Sequence, residues 1–181
     1  MNHVILIGYM GCGKTTLGRK LTYKLRISMI DTDKWIEQHQ KKTISEIFAE
    51  EGEESFRWME TECLKRLTTE RGDHVISVGG GLPMRPENRV LLHTLGRVIY
   101  LRAKPETIYE RLKDDTTRPL LQGDDPMGKI RAMIAERGPV YEECADVIID
   151  VDGKDFDTLL EELVEAAQYR PIFRKQTYRK S

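Results

Sequence analysis

Gly8-Tyr9-Met10-Gly11-Cys12-Gly13-Lys14-Thr15 is the stretch from which the rest of the chain can be read. It fits G-x-x-x-x-G-K-[ST], and its flanks are those the pattern requires. The continuous apolar run Val4 to Ile7 before it reads as a buried strand, and Leu17, Leu21 and Leu25, spaced four apart, mark a helix after it. Glycines permit backbone turns that aim successive N–H groups inward at phosphate oxygens. The helix opening near Lys14 adds the positive end of its dipole. Lys14 supplies a point charge for the β- and γ-phosphates, and the Thr15 hydroxyl is a ligand for Mg2+. The stretch predicts nucleotide binding. Cys12 inside it reads as a small filler, since no neighbour is placed as its base.

Working outward, short apolar runs recur at Ser28 to Ile30, Val75 to Val78, Val98 to Leu101 and Val147 to Ile149. Helical patterns lie between them. Phe56, Met59, Cys63, Leu64 and Leu67 form one stripe, and Ile130, Met133, Ile134 and Arg137 form another. Thr43-Ile44-Ser45-Glu46 reads as a capping box, and Pro105 sits near the start of a helix carrying Ile108 and Leu112. Strands alternating with helices predict a parallel sheet covered on both faces, a three-layer α/β/α domain. Two stretches break the rhythm. Lys113 to Asp125 is polar and aperiodic, holds Pro119 and Gly123, and reads as a mobile loop of a length that is usually functional or disordered. Tyr169 to Ser181 carries five Lys/Arg and no acid, a basic tail read first as a solvated end.

The 181 residues suffice for one compact domain. Lys and Arg number 29 against 30 Asp and Glu, and this balance weighs against a partner that is nucleic acid. No run approaches the roughly 18 apolar residues of a membrane span, and the opening residues lack the form of a secretory signal. Cys12, Cys63 and Cys144 are odd in number and widely spaced, so neither a disulfide framework nor a zinc site is expected. The four histidines have no metal-ligand spacing. A soluble, cytoplasmic single domain is the expectation.

Asp31 and Asp33 follow the second apolar run, at the carboxyl end of a parallel strand, where open α/β sheets bind ligands. In extended chain, residues two apart point the same way, so both carboxylates are expected to face the phosphate loop. One would serve the metal and the other would take a hydroxyl proton. The plainer alternative has Asp33 capping a helix that begins at Lys34. Gly79-Gly80-Gly81 closes the third strand where many ATPases carry an acid, which leaves Asp31 as the metal carboxylate and lets something approach the backbone closely. Arg137 shares its stripe with no acid, and a bound anion would satisfy it. Arg57 lies beside the other apolar stripe, Arg118 lies in the polar loop and Arg111 precedes that loop.

Taken together, these residues resemble the shikimate kinase family, a branch of the P-loop proteins related to nucleoside-monophosphate kinases. The likeness runs over about residues 2 to 165. It rests on Gly8 to Thr16 with Leu17-Gly18-Arg19, on Asp31-Thr32-Asp33, and on Ile44 through Phe48 with Gly52-Glu53, Phe56-Arg57 and Glu60. It continues through Gly79-Gly80-Gly81, Arg118-Pro119-Leu120-Leu121, and Arg137 through Tyr141 ahead of Ala145-Asp146. Val78 departs from the threonine common before the glycines.

The resemblance implies a five-stranded parallel sheet in the order 2-3-1-4-5. It implies a single kinase domain over 1–168, with a substrate-binding region at about 32–61 and a lid at about 113–124, followed by the tail 169–181. Lys14, within the ATP-binding stretch Gly11, Cys12, Gly13, Lys14, Thr15 and Thr16, would bind the phosphates. Thr15 and Asp31 would hold Mg2+. Asp33 would bind the shikimate hydroxyls and assist deprotonation of the 3-hydroxyl. Arg57 and Arg137 would clamp the carboxylate, with Gly79, Gly80 and Gly81 contacting the substrate. Arg118 would descend with the lid, and Arg111 and Lys154 would flank adenine. A monomer acting on ATP and shikimate is implied. The alternatives are a gluconate or nucleotide kinase and a catalytically silent nucleotide-binding regulator; the last requires loss of Lys14, Asp33 or Arg118, and all three are present.

Overall fold

The computed structural model describes residues 3–113 and 125–168. Five strands, β1 (His3–Ile7), β2 (Ser28–Asp31), β3 (His74–Ser77), β4 (Gly96–Arg102) and β5 (Val147–Asp150), form one sheet in the order β2-β3-β1-β4-β5, every pair parallel. The helices are α1 (Lys14–Leu25), α2 (Thr32–Gln40), α3 (Ile44–Leu67), α4 (Pro86–Leu95), α5 (Pro105–Leu112), α6 (Pro126–Cys144) and α7 (Phe156–Gln168), with a 3-10 turn at Leu82–Met84. The expected strands are all present, each longer by one to three residues or shifted by one. The proposed lid, apart from Lys113, and the basic tail lie outside the described residues, as does Arg118.

The layers follow from alternation along the strands. Val4 and Leu6 of β1 turn to one face, where Leu17 and Leu21 of α1, Ile108 and Leu112 of α5, and Leu159 and Leu163 of α7 cover them. Ile5 and Ile7 turn to the other, under Phe56, Met59, Cys63 and Leu64 of α3, Leu92 and Leu95 of α4, and Tyr141 of α6. Truncating a side chain such as Leu64, which is fully buried, costs about 2–5 kcal/mol. The capping box forms as read: the Thr43 hydroxyl accepts from the Glu46 N–H, and the Glu46 carboxylate accepts from the Thr43 N–H. α3 is kinked by non-helical backbone at Gly52.

At the amino edge of the sheet the first residues of three strands form a row. Ser28 pairs in register with His74, the His74 N–H donates to Nδ1 of His3 at 3.1 Å, and the two imidazoles stack with centroids 5.3 Å apart. Gly96, in register with His3, leaves no room for a side chain, because a Cβ there would run into the His3 backbone.

Candidate active site

The phosphate loop joins β1 to α1. Gly13 caps α1 from left-handed backbone at φ 108°, which a side chain would strain. Lys14 folds over its own loop, and its Nζ donates to the carbonyl oxygens of Gly8 at 2.7 Å and Tyr9 at 3.1 Å. Arg111, at the end of α5, reaches back to the same loop and donates to the Gly11 carbonyl at 3.1 Å. Lys154 pairs instead with Glu162 of α7 at 2.7 Å. Cys12 is buried beneath the loop, in keeping with a packing role.

The two aspartates sit differently from the extended-chain reading. α2 starts at Thr32, so Asp33 belongs to its first turn and Asp31 is the cap. Oδ1 of Asp31 accepts the N–H groups of Asp33 at 3.1 Å and Lys34 at 3.3 Å. The capping role considered for Asp33 belongs to Asp31, because a strand ending one residue later leaves those N–H groups above its carboxylate. Asp33 instead turns inward. Its Oδ1 is buried without a hydrogen-bond partner among the described residues. Burial first, and then the neighbouring Asp31 carboxylate, push its pKa up to about 6, against the pull of Lys14 and Arg57.

The glycine loop after β3 is where the site converges. A Cβ on Gly79 would lie 2.7 Å from Oδ1 of Asp33 and 2.9 Å from Oε1 of Glu60. A Cβ on Gly81 would strike the Arg57 guanidinium, and one on Gly80 would lie 3.5 Å from Nη1 of Arg137 and 3.7 Å from the Gly8 carbonyl oxygen. The three glycines therefore admit a carboxylate pair, two arginines and the rim of the phosphate loop against one stretch of bare backbone. Lys14, Asp33, Arg57 and Arg137, distant in sequence, share the carboxyl edge of the sheet.

Glu60 is a participant to which the sequence reading gave no role. It is wholly buried one helical turn beyond Arg57, which donates to it at 2.8 Å while also pairing with the exposed Glu53 at 3.0 Å. Burial outweighs this pairing and raises the Glu60 pKa to about 7. The i to i+3 spacing on one helix face was the available signal. Arg57 is thus held and oriented by carboxylates, whereas Arg137 pairs with no carboxylate among the described residues. A planar anion between these arginines and the glycine loop would meet two guanidinium groups, that of Arg57 already oriented by its carboxylates.

The shikimate kinase family model matches residues 10–168. The shikimate kinase of Symbiobacterium thermophilum is 42% identical over 171 residues, covering 93% of this chain and 97% of that protein. Among solved structures, the shikimate kinase of Acinetobacter baumannii in complex with shikimate superposes with a TM-score of 0.83 at 35% identity, over 91% of this chain and 92% of that one. A gluconokinase from Sinorhizobium meliloti reaches a TM-score of 0.57 at 14% identity, over 92% and 91% of the two chains, a likeness of fold alone.

Proposed function

Because the chain belongs to the shikimate kinase family, ATP-dependent phosphotransferases with a hydroxyl acceptor, we propose that it moves the γ-phosphoryl group of ATP to the 3-hydroxyl of shikimate by the following division of labour. The N–H groups of the loop Gly11 to Thr16, with Lys14, bind the β- and γ-phosphates. Arg57 and Arg137 grip the acceptor carboxylate, and the backbone of Gly79 to Gly81 seats its ring. Asp33, facing the acceptor, takes the hydroxyl proton as that oxygen bonds to the γ-phosphorus and the bond to the ADP oxygen breaks. Burial makes Asp33 a stronger base than an ordinary aspartate while leaving it mostly ionised near neutral pH. Arg118 would come onto the phosphates from the lid, and Arg111 and Lys154 would flank the adenine.

The donor set fits Mg2+. Oδ1 of Asp31 is committed to the cap of α2, and its Oδ2 and the Thr15 hydroxyl have no hydrogen bond among the described residues, two hard oxygen ligands. Such a pair suits an ion that keeps several waters and takes its other ligands from phosphate, rather than one held in a protein cage. When bound there, Mg2+ neutralises charge developing on the phosphate oxygens. The three cysteines are free and buried, in keeping with work in a reducing cytoplasm.

The observation that carries this reading is the closeness of Asp33, Glu60, Arg57 and Arg137 to three consecutive glycines beside the phosphate loop. Two measurements test it. In an ADP-release assay on shikimate, gluconate and nucleoside monophosphates, turnover is expected on shikimate; turnover on gluconate or a nucleotide with none on shikimate overturns the assignment. Asp33→Asn is expected to lower kcat by about 100-fold or more with the KM for ATP near wild type. Unchanged kcat would remove Asp33 from the chemistry.

A further inference from the structure

α6 presents two residues one turn apart to the glycine loop. One is Arg137, the carboxylate clamp of the reading above. The other is Tyr141, to which that reading gives no task. Tyr141 is only 1% exposed, and a phenol so buried must place its hydroxyl. It donates to the carbonyl oxygen of Gly80 at 2.6 Å. The Arg137 guanidinium lies beside the same phenolic oxygen, close enough for its charge to act on the phenol. Both groups stand over the Cα of Gly80, where a Cβ would lie 3.4 Å from the Tyr141 hydroxyl and 3.5 Å from Nη1 of Arg137.

On its other side the Tyr141 ring packs against Tyr100 of β4, with centroids 5.1 Å apart and planes inclined at 51°. The Tyr100 ring in turn lies 3.5 Å from the position of a Cβ on Gly8, at the start of the phosphate loop. Packed contacts therefore run from the phosphate loop through Tyr100 and Tyr141 to Gly80 and Arg137. With no carboxylate partner among the described residues, Arg137 would lose rotamer freedom each time it ordered around an anion. A fixed hydroxyl beside it removes part of that loss. The guanidinium has an anchored oxygen within reach on one side, and the donors of its fork that face away from it serve a carboxylate.

We propose that Tyr141 is a positioning residue. Its hydroxyl fixes the Gly80 carbonyl and the Arg137 guanidinium relative to each other, so that the acceptor carboxylate meets a preformed clamp. This rests on the reading of Arg137 as that clamp. The effect falls on acceptor binding rather than on phosphoryl transfer.

Tyr141→Phe in the full chain keeps the ring and its packing on Tyr100 and removes the hydroxyl alone. The KM for shikimate is expected to rise about tenfold, with kcat and the KM for ATP within about twofold of wild type. A KM does not depend on how much of the preparation is folded, so the split between the two substrates survives a loss of stability. In an Arg137→Ala background the effect of Tyr141→Phe is expected to vanish, because no guanidinium is left to orient. With an acceptor analogue whose carboxylate is reduced to hydroxymethyl, wild type and Tyr141→Phe are expected to share one KM. An unchanged shikimate KM in Tyr141→Phe, or the same tenfold rise in the Arg137→Ala background, overturns the proposal while leaving the clamp in place. An unchanged shikimate KM in Arg137→Ala overturns the clamp itself.

Discussion

At the carboxyl edge of the sheet, the buried Oδ1 of Asp33 and Oε1 of Glu60 have no hydrogen-bond partner among the described residues, and both border Gly79. At the amino edge, the buried Nε2 atoms of His3 and His74 are equally without partners among the described residues, but their rings stack on one another, and the Ser28 hydroxyl is bonded to Nδ1 of His74 at 2.6 Å. Both edges bury polar atoms at a cost. The carboxylates have counter-charge beside them, Arg57 bonded to Glu60 and Lys14 acting on Asp33 from its place on the phosphate loop, and backbone stripped of side chains. The imidazoles are closed over by each other and by strand pairing. Burial of a titratable group does not by itself mark a site; counter-charge and open backbone beside it do.

Two glycines, one at each edge, offer the sharpest way to break this contrast. Gly79→Ala would push a methyl group onto Asp33 and Glu60, and kcat/KM for shikimate is expected to fall about 100-fold, the scale of a misplacement near 1 Å. Wild-type kcat/KM in that variant would mean that the carboxyl edge does not receive the acceptor. Gly96→Ala would drive its methyl group into the His3 backbone and should cost about 1–3 kcal/mol in urea unfolding, with kcat unchanged. A drop in kcat there would show that the amino edge takes part in catalysis.

A smaller effect separates the edges by the sign of their proton linkage. Glu60 holds, in the folded state, a proton that the unfolded chain releases between about pH 4.5 and about 7, so its contribution to stability falls as pH rises through that window. His3 is the reverse. Burial and the neighbouring His74 lower its pKa from 6.5, so the unfolded chain takes up a proton first and stability falls as pH drops below 6.5. Thermal midpoints between pH 5 and 7 should show Glu60→Gln gaining on wild type as pH rises and His3→Gln gaining as pH falls. Parallel curves for the two variants would cancel the distinction.

The strands and the phosphate loop were legible because a buried parallel strand writes itself as an unbroken apolar run and the loop as fixed glycines before a lysine. α4 was not read: its buried positions, Asn88, Leu92 and Leu95, include a polar residue that bonds inward to the Leu82 carbonyl. Asp33 was assigned to the right edge for a wrong reason. Strand alternation would have aimed it beside Asp31, whereas the helix begins at Thr32, two residues earlier than read, and Asp31 supplies the cap. Glu60 and Tyr141 were visible only as members of a resemblance. Their significance lies in what the fold packs against them, Gly79 and Gly80, which are distant in sequence.

The hold of Lys14 on the Gly8 and Tyr9 carbonyls has a consequence for ligand discrimination. Its ammonium is solvated by the chain itself, so on the proposed assignment capture of a triphosphate would be an exchange of acceptors rather than the quenching of a bare charge. A weakly charged visitor offers little that two carbonyl dipoles do not already provide; a polyanion does. On the proposed assignment that exchange would free the Gly8 oxygen, which lies 3.7 Å from the position of a Cβ on Gly80, beside the backbone proposed to seat the acceptor.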